Sequence, residues 1–305
     1  MAVRSETMMP YPVRRFLRQA FRFAAVLLLV NALLYFGLIQ PHVQAYRNLP
    51  FGGSILLSDS HGMALGKRTE AAGIANWSAA GDAFSDMERK LYHGIRAGGV
   101  DRVFLAVDDH GLAPYREVFH NQRWSIVFAQ YGDDPQQGRL AYAYSRWVEH
   151  YIVLLNPAYR DRLYGGLSAR VQSFFRQPSG HAHKAWHQQS DAAKSQAIED
   201  RYWTQFSNAY TSEPLREHLL GIVHACRENG VAAIGVRFPI HPDYRERYAG
   251  RAYGADSVWR AAGLPILDYT RLFDGIDSCF QDPDHLSPAG AEALMRQWKH
   301  DLDRP

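Results

Sequence analysis

The sequence predicts an α/β protein, a parallel sheet between helical layers, held behind an N-terminal membrane-spanning helix. Three observations lead there. Short apolar runs at 54–57, 100–107, 231–238 and 264–269 read as strands buried on both faces, and stretches with helical spacing at 87–97, 214–228 and 288–298 alternate with them. Two of the strand-like runs empty into short polar turns, which is how a buried strand delivers a side chain to the rim of a sheet. A long uncharged stretch near the N-terminus lies outside this alternation.

Five arginines (Arg4, Arg14, Arg15, Arg18 and Arg22) against Glu6 make residues 1–22 a basic tail of net +4, while the whole chain of 305 residues carries only +3. The remainder therefore sums to about −1 and lacks the basic footprint of a nucleic-acid binder. With 47% hydrophobic residues the chain has ample material for one substantial core. Residues 23–39 are seventeen residues without a charge, at the short end of a bilayer-spanning helix and longer than the core of a cleaved signal peptide. Arg47 is the only Lys or Arg in the twenty residues that follow, so the asymmetry keeps the N-terminus cytoplasmic and sends the rest across the lipid bilayer, into a periplasm in a Gram-negative cell. Val43-Gln44-Ala45 loosely fits a signal-peptidase site, which leaves cleavage as an alternative. Residues 40–53, with Pro41, Pro50 and a glycine pair, read as a linker to a globular domain at 54–305.

The strand at 54–57 runs into Ser58-Asp59-Ser60-His61-Gly62. An unassisted serine hydroxyl is a poor nucleophile, so Ser60 matters only if a histidine and an acid can reach it. Asp282-Pro283-Asp284-His285 supplies both near the other end of the chain, ahead of a helix announced by Ser287 as cap and Pro288 at its first position. In this order the two blocks resemble the SGNH (GDSL-like) hydrolase family, whose three-layer, flavodoxin-like fold the resemblance implies. It also implies that Ser60 attacks an acyl carbonyl, His285 moves the proton and Asp282 orients the imidazole. Asp284 is the competing acid, but the family spacing selects Asp282.

The family's second block is matched around Asn76-Trp77-Ser78 and Gly81, where a glycine N–H contributes to an oxyanion hole. Where the family carries a glycine and an asparagine at the end of the next strand, this chain has Ala106 and Asp108. An ionised carboxylate accepts hydrogen bonds and repels an oxyanion. The resemblance then leaves three arrangements: a protonated Asp108, a hole built from the Ser60 and Gly81 N–H groups alone, or a donor such as His110. In the family the equivalent strand end points toward the substrate, so the resemblance makes Arg237 and His241, at the end of the strand at 231–238, candidate substrate contacts.

Residues 122–212 exceed what a small SGNH core needs and read as a largely helical, aromatic-rich insertion packed over one side of the sheet, with a short strand at 124–128. Its Tyr142, Tyr144, Trp147, Tyr151, Phe174, Phe175, Trp186, Tyr202, Trp203 and Phe206 are either its own core or a platform for a polymer or membrane partner. His183 and His187 share the i, i+4 spacing of two metal ligands, but Pro178-Ser179-Gly180 signals a loop, and no metal or cofactor is expected. Cys226 and Cys279 read as two separate buried thiols, with pairing left open.

A single anchor followed by an exported SGNH-like domain resembles the accessory proteins of membrane-bound O-acyltransferases that acylate surface polymers. The resemblance implies an O-acyl (acetyl) transferase component acting on an extracellular polysaccharide, with a membrane-bound O-acyltransferase as partner. A membrane-tethered carbohydrate or lipid esterase and a catalytically silent scaffold are the alternatives.

Overall fold

The computed structural model describes residues 11–303, apart from 51, 134–136, 158 and 161–184. The elements begin with α1 (Tyr11–Leu34), a π-helical turn (Tyr35–Ile39), α2 (Gln40–Arg47), β1 (Ser54–Leu57), α3 (Ser60–Met63), β2 (Ile74–Asn76), α4 (Phe84–Arg96) and β3 (Arg102–Ala106). There follow α5 (Gln122–Ser125), α6 (Arg139–Ala143), α7 (Asp191–Gln205), α8 (Glu213–Glu228), β4 (Ala232–Arg237), α9 (Pro242–Arg247), α10 (Ala255–Ala261), β5 (Ile266–Asp268) and α11 (Pro288–Leu302). The chain divides into two compact units, one from Met1–Ala45 with Arg139–Gln177, the other from Tyr46–Gly138 with Pro178–Pro305.

The N-terminal helix does not stop where the apolar run ends. Pro12–Arg47, 36 residues, is long and apolar enough to cross a membrane by length and composition, and at 1.5 Å per residue it extends about 54 Å. The expected linker is thereby corrected, since its first eight residues form α2. Pro41 withholds an amide donor and crowds the carbonyl one turn back, and the π-helical turn immediately before it widens the helix enough to absorb both. The insertion is corrected as well. Tyr142, Tyr144, Trp147 and Tyr151 belong to the unit of α1, whereas Trp186, Tyr202 and Phe206 lie in the hydrophobic core of the second unit. Phe174, Phe175 and His183 fall outside the described residues.

The second unit is built on a five-stranded, all-parallel sheet in the order β2-β1-β3-β4-β5. Ile55, Leu56 and Leu57 are each wholly buried. Successive strand residues point to opposite faces, so both faces of the sheet are covered, as a parallel sheet requires. Helices α4 and α8 pack on each other, and α11 seats the buried Trp298 edge-on against Phe104 and Phe238. Strand β2, absent from the sequence reading, has only three residues, too few to show a period. The strand expected at 124–128 is instead α5 and the turns after it. The end of α5 is fastened to α4: Ser125 Oγ donates to Asp86 Oδ1 at 2.6 Å, and Arg89 Nη1 donates to Ser125 Oγ at 3.0 Å. Cys226 and Cys279 are buried and unbonded.

Trp298 ties α11 to the middle of β3 and to the residues just after β4 and β5, because Tyr269 also packs on it, with ring centroids 6.1 Å apart. Trp298→Ala is expected to cost about 3–5 kcal/mol, read as a lowered denaturant midpoint with an unchanged slope in the detergent-solubilised chain.

Candidate active site

The strand order places β1 beside both β2 and β3, so the chain leaves the sheet in opposite directions on either side of β1. A crevice opens at such a switch point, beyond the C-terminal strand ends. Ser60 follows β1 there and Asp108 follows β3. The Ser60 turn is braced from both sides: Asp59 Oδ1 accepts the His61 N–H at 3.0 Å, and Ser58 Oγ accepts the Gly62 N–H at 3.0 Å. A Cβ on Gly62 would lie 2.5 Å from both Ser58 Cβ and Ser78 Oγ, so only glycine lets the turn close.

The Asp282–His285 loop organises itself around one carboxylate. Asp282 Oδ1 accepts the backbone N–H of Asp284 at 3.1 Å and of His285 at 2.8 Å, and both Asp282 oxygens lie 2.9 Å from His285 Nδ1. His285 Nε2 then stands 2.8 Å from Ser60 Oγ across 225 positions of sequence. When the ring is neutral and acts as a base, Nε2 accepts from the serine and Nδ1 carries the proton that it donates to Asp282. Arg201 Nη2, 3.0 Å from the same ring nitrogen, is therefore held there by Asp284 Oδ1 at 2.7 Å and not by the imidazole.

Beneath this line lies a buried network that sequence reasoning missed. His61 Nδ1 donates to Asp108 Oδ2 at 2.8 Å, and its Nε2 faces Asp284 Oδ2 at 3.5 Å. Burial opposes charge on this ring, yet Asp59 and Asp108 hold its pKa well above the ordinary histidine value, so His61 is an imidazolium. Asp59, although desolvated, is held well below the carboxylate range by His61 and Arg116. Asp284 is held low against its burial by His285, His61 and Arg201. Gln205 Nε2 also donates to Asp284 Oδ2 at 2.8 Å. Arg201 and Gln205 sit four residues apart on one face of α7, a spacing visible in the sequence once Asp284 is known to need partners. For His285, burial would lower the pKa, but Asp282 and Asp284 outweigh burial and raise it to about 9.

The remaining candidates go to different places. Asp108 spends its second oxygen on the Phe238 N–H at 2.8 Å, and His110 Nε2 lies 3.0 Å from Asp59 Oδ2. Gly81 holds φ at +84°, a conformation that favours glycine. The next residue, Asp82, is fully buried and accepts from Lys90 Nζ at 2.5 Å, Tyr46 OH at 2.8 Å and Asn121 Nδ2 at 2.8 Å, which fixes the loop that carries Gly81. Burial raises the Asp82 carboxyl to about 6 despite Lys90. Arg237 forks onto Asp109 at 2.6 and 2.7 Å and reaches Asp268 at 2.9 Å, where it lines an open cleft of about 890 Å³ with Arg245, Asp256 and Thr270. His241 pairs with Asp277 at 3.1 Å between Trp186 and Phe280.

Among the described residues two groups, Asp59/His61/His110 and His61/Asp284/His285, bring ligand atoms within 4.8 Å of one another. Their carboxylates are already neutralised by Arg116 and Arg201, at 3.1 and 2.7 Å, so a dication would add charge that the shell does not call for.

No protein-family model and no curated protein matches the chain. Among solved structures it is similar to a presumed acylhydrolase from Bacteroides fragilis NCTC 9343, with 10% identity, TM-score 0.38, and coverage of 87% of this chain and 97% of that one. It is also similar to a lipase/acylhydrolase from Enterococcus faecalis, with 12% identity, TM-score 0.35, and coverage of 82% of this chain and 94% of that one. At these values the function has to be read from the side chains themselves.

Two outcomes follow from the geometry. Gly62→Ala, which drives a methyl into Ser58 and Ser78, is expected to destabilise the chain by about 1–3 kcal/mol, measured by denaturant unfolding. His285 has a folded pKa of about 9, above its unfolded value, so its stabilising contribution is complete below the ordinary histidine pKa and fades as pH rises through about 9. Unfolding curves from about pH 6 to about pH 10 should show the wild type losing an increment that His285→Gln never had.

Proposed function

We propose that this chain is a membrane-anchored, serine-dependent acyl-transfer enzyme, facing the extracytoplasmic side and moving an acyl (acetyl) group onto an extracellular polysaccharide. The observation that carries the reading is the line Asp282–His285–Ser60, with 2.9 Å from carboxylate to Nδ1 and 2.8 Å from Nε2 to Oγ. In the first half-reaction Ser60 Oγ attacks the donor carbonyl while His285 Nε2 takes its proton, and Asp282 stabilises the imidazolium. The tetrahedral oxyanion collapses, the donor's leaving group departs with the proton from His285, and the acyl group stays on Ser60. An acceptor hydroxyl then gives its proton to His285 and attacks the acyl carbonyl; the bond from that carbon to Ser60 Oγ breaks, the proton passes from His285 Nε2 to Oγ, and the acylated acceptor leaves.

The Asp108 difficulty is eased by the network described above. Both Asp108 oxygens are engaged, one by the His61 imidazolium, so its charge is neutralised locally and the oxyanion is left to the Ser60 and Gly81 N–H groups. The polar cleft at the ends of β4 and β5, lined by Arg237, Arg245 and Thr270, offers donors and acceptors suited to glycan hydroxyls. A membrane-bound O-acyltransferase is the proposed partner, and the anchor keeps the serine concentrated where such a donor is presented. Hydrolysis is the second reading: His285 is only partly buried, its side chain 18% exposed, so water can take the acceptor's place.

Acyl release and acyl transfer by the full chain, with a p-nitrophenyl ester as donor and a glycan oligomer as acceptor, test the reading. Ser60→Ala should lower both by about 10³-fold or more, and identical traces for the two proteins would leave a binding scaffold. A general base must be neutral to accept a proton, so kcat/KM should climb with pH to a limb centred near 9.

A further inference from the structure

Asn31 is the polar exception inside the uncharged stretch of the N-terminal helix. Its Nδ2 donates to the Tyr151 carbonyl at 2.9 Å, and its Oδ1 accepts the Val153 N–H at 2.9 Å. One turn further on, Tyr35 OH lies 3.2 Å from His150 Nε2, while Tyr159 OH lies 2.8 Å from His150 Nδ1. Residues 139–157 are thereby fastened to the second half of the apolar helix. Asn31 stands about 12 Å along the axis before the end of the apolar stretch at Ile39, so the fastened segment reaches well below the boundary of any bilayer that the helix crosses.

A chain at that depth must satisfy its own backbone polar groups. After α6 and the π-helical turn Tyr144–Glu149, the segment opens into an extended conformation at Ile152, with φ −95° and ψ 98°. The groups freed on either side of that opening, the Tyr151 carbonyl and the Val153 N–H, are the two that Asn31 takes. His150 is enclosed by Tyr35, Tyr151 and Tyr159 and is only 2% exposed. The outer face is the reverse: Leu140, Tyr144, Trp147 and Leu155 are exposed, as are Leu33 and Phe36 on the helix. Arg146 lays its guanidinium over Trp147, 4.7 Å from the ring centroid, pairing an aromatic body with a charged head as side chains at a membrane interface do.

We propose that residues 139–157 form a second membrane-embedded element, a re-entrant wedge in the outer leaflet whose exposed face is covered by lipid acyl chains. The proposal rests on the reading that the N-terminal helix crosses the bilayer, and the test separates the two. Full-length chain is labelled with an environment-sensitive fluorophore at Leu33→Cys or Trp147→Cys and placed in phosphatidylcholine–phosphatidylglycerol vesicles; native Cys226 and Cys279 are buried and remain unlabelled in the parent. Both labels should be quenched about twofold by nitroxide-bearing lipid and shielded from aqueous iodide. Asn31→Leu should keep the label at 33 in lipid while releasing the label at 147 to iodide. A label at 33 in lipid with one at 147 open to iodide overturns the wedge and leaves the anchor standing. A label at 147 hidden from both quenchers also overturns the wedge, showing protein cover instead of lipid. A label at 33 open to iodide removes the anchor itself.

Discussion

Everything at the candidate site depends on the protonation of one buried ring. Asp59, Asp108, Asp282 and Asp284 converge at the C-terminal edge of the sheet, and four carboxylates cannot be ionised together without neighbouring cations. Arg116 and Arg201 neutralise two of them, and His285 answers a third. His61, 3% exposed and bonded to Asp108 through Nδ1, supplies the remaining charge. Were it neutral, the cluster would carry an uncompensated buried negative charge beside the serine, and Asp284 would lose one of the cations that keep it ionised.

That balance has a chemical side. His285 faces Asp282 and Asp284 together, and the pair raises it further than one carboxylate would. His61, whose ring centroid lies 5.3 Å from that of His285, pushes in the opposite direction. The basicity of the proposed general base is thus a compromise between two acids in front of it and a cation beneath. The Asp82–Lys90 pair is a separate device. It is fully buried, lies next to Gly81, and fixes a loop rather than a proton.

Much of this could be read from residue order alone, for identifiable reasons. Buried strands and capped helices leave periodic marks, so β1, β3, β4, α8 and α11 were all anticipated, whereas the roles of Ser60, His285 and Asp282 came from the resemblance of their two blocks to the SGNH family. What escaped was set by tertiary context. Three-residue β2 carries no period, α5 is shaped by Asp86 and Arg89 of another helix, and α2 persists through Pro41 because the preceding turn widens. His61 was overlooked because a histidine beside a candidate serine attracts no separate explanation until its partners, 47 and 223 positions away, are seen. Aromatic content marked the insertion but could not show that its first part belongs with α1 and its last part with the core around Phe206.

The 225 positions between Ser60 and His285 also bear on how the protein is made. A ribosome delivers the serine turn 225 positions before the histidine loop, so a growing polypeptide carries the hydroxyl with no imidazole beside it until that loop emerges. In the proposed reading the serine gains its base only once that loop has emerged and α11 can seat Trp298 on Phe104 and Phe238, so the pairing waits on the late-made part of the fold.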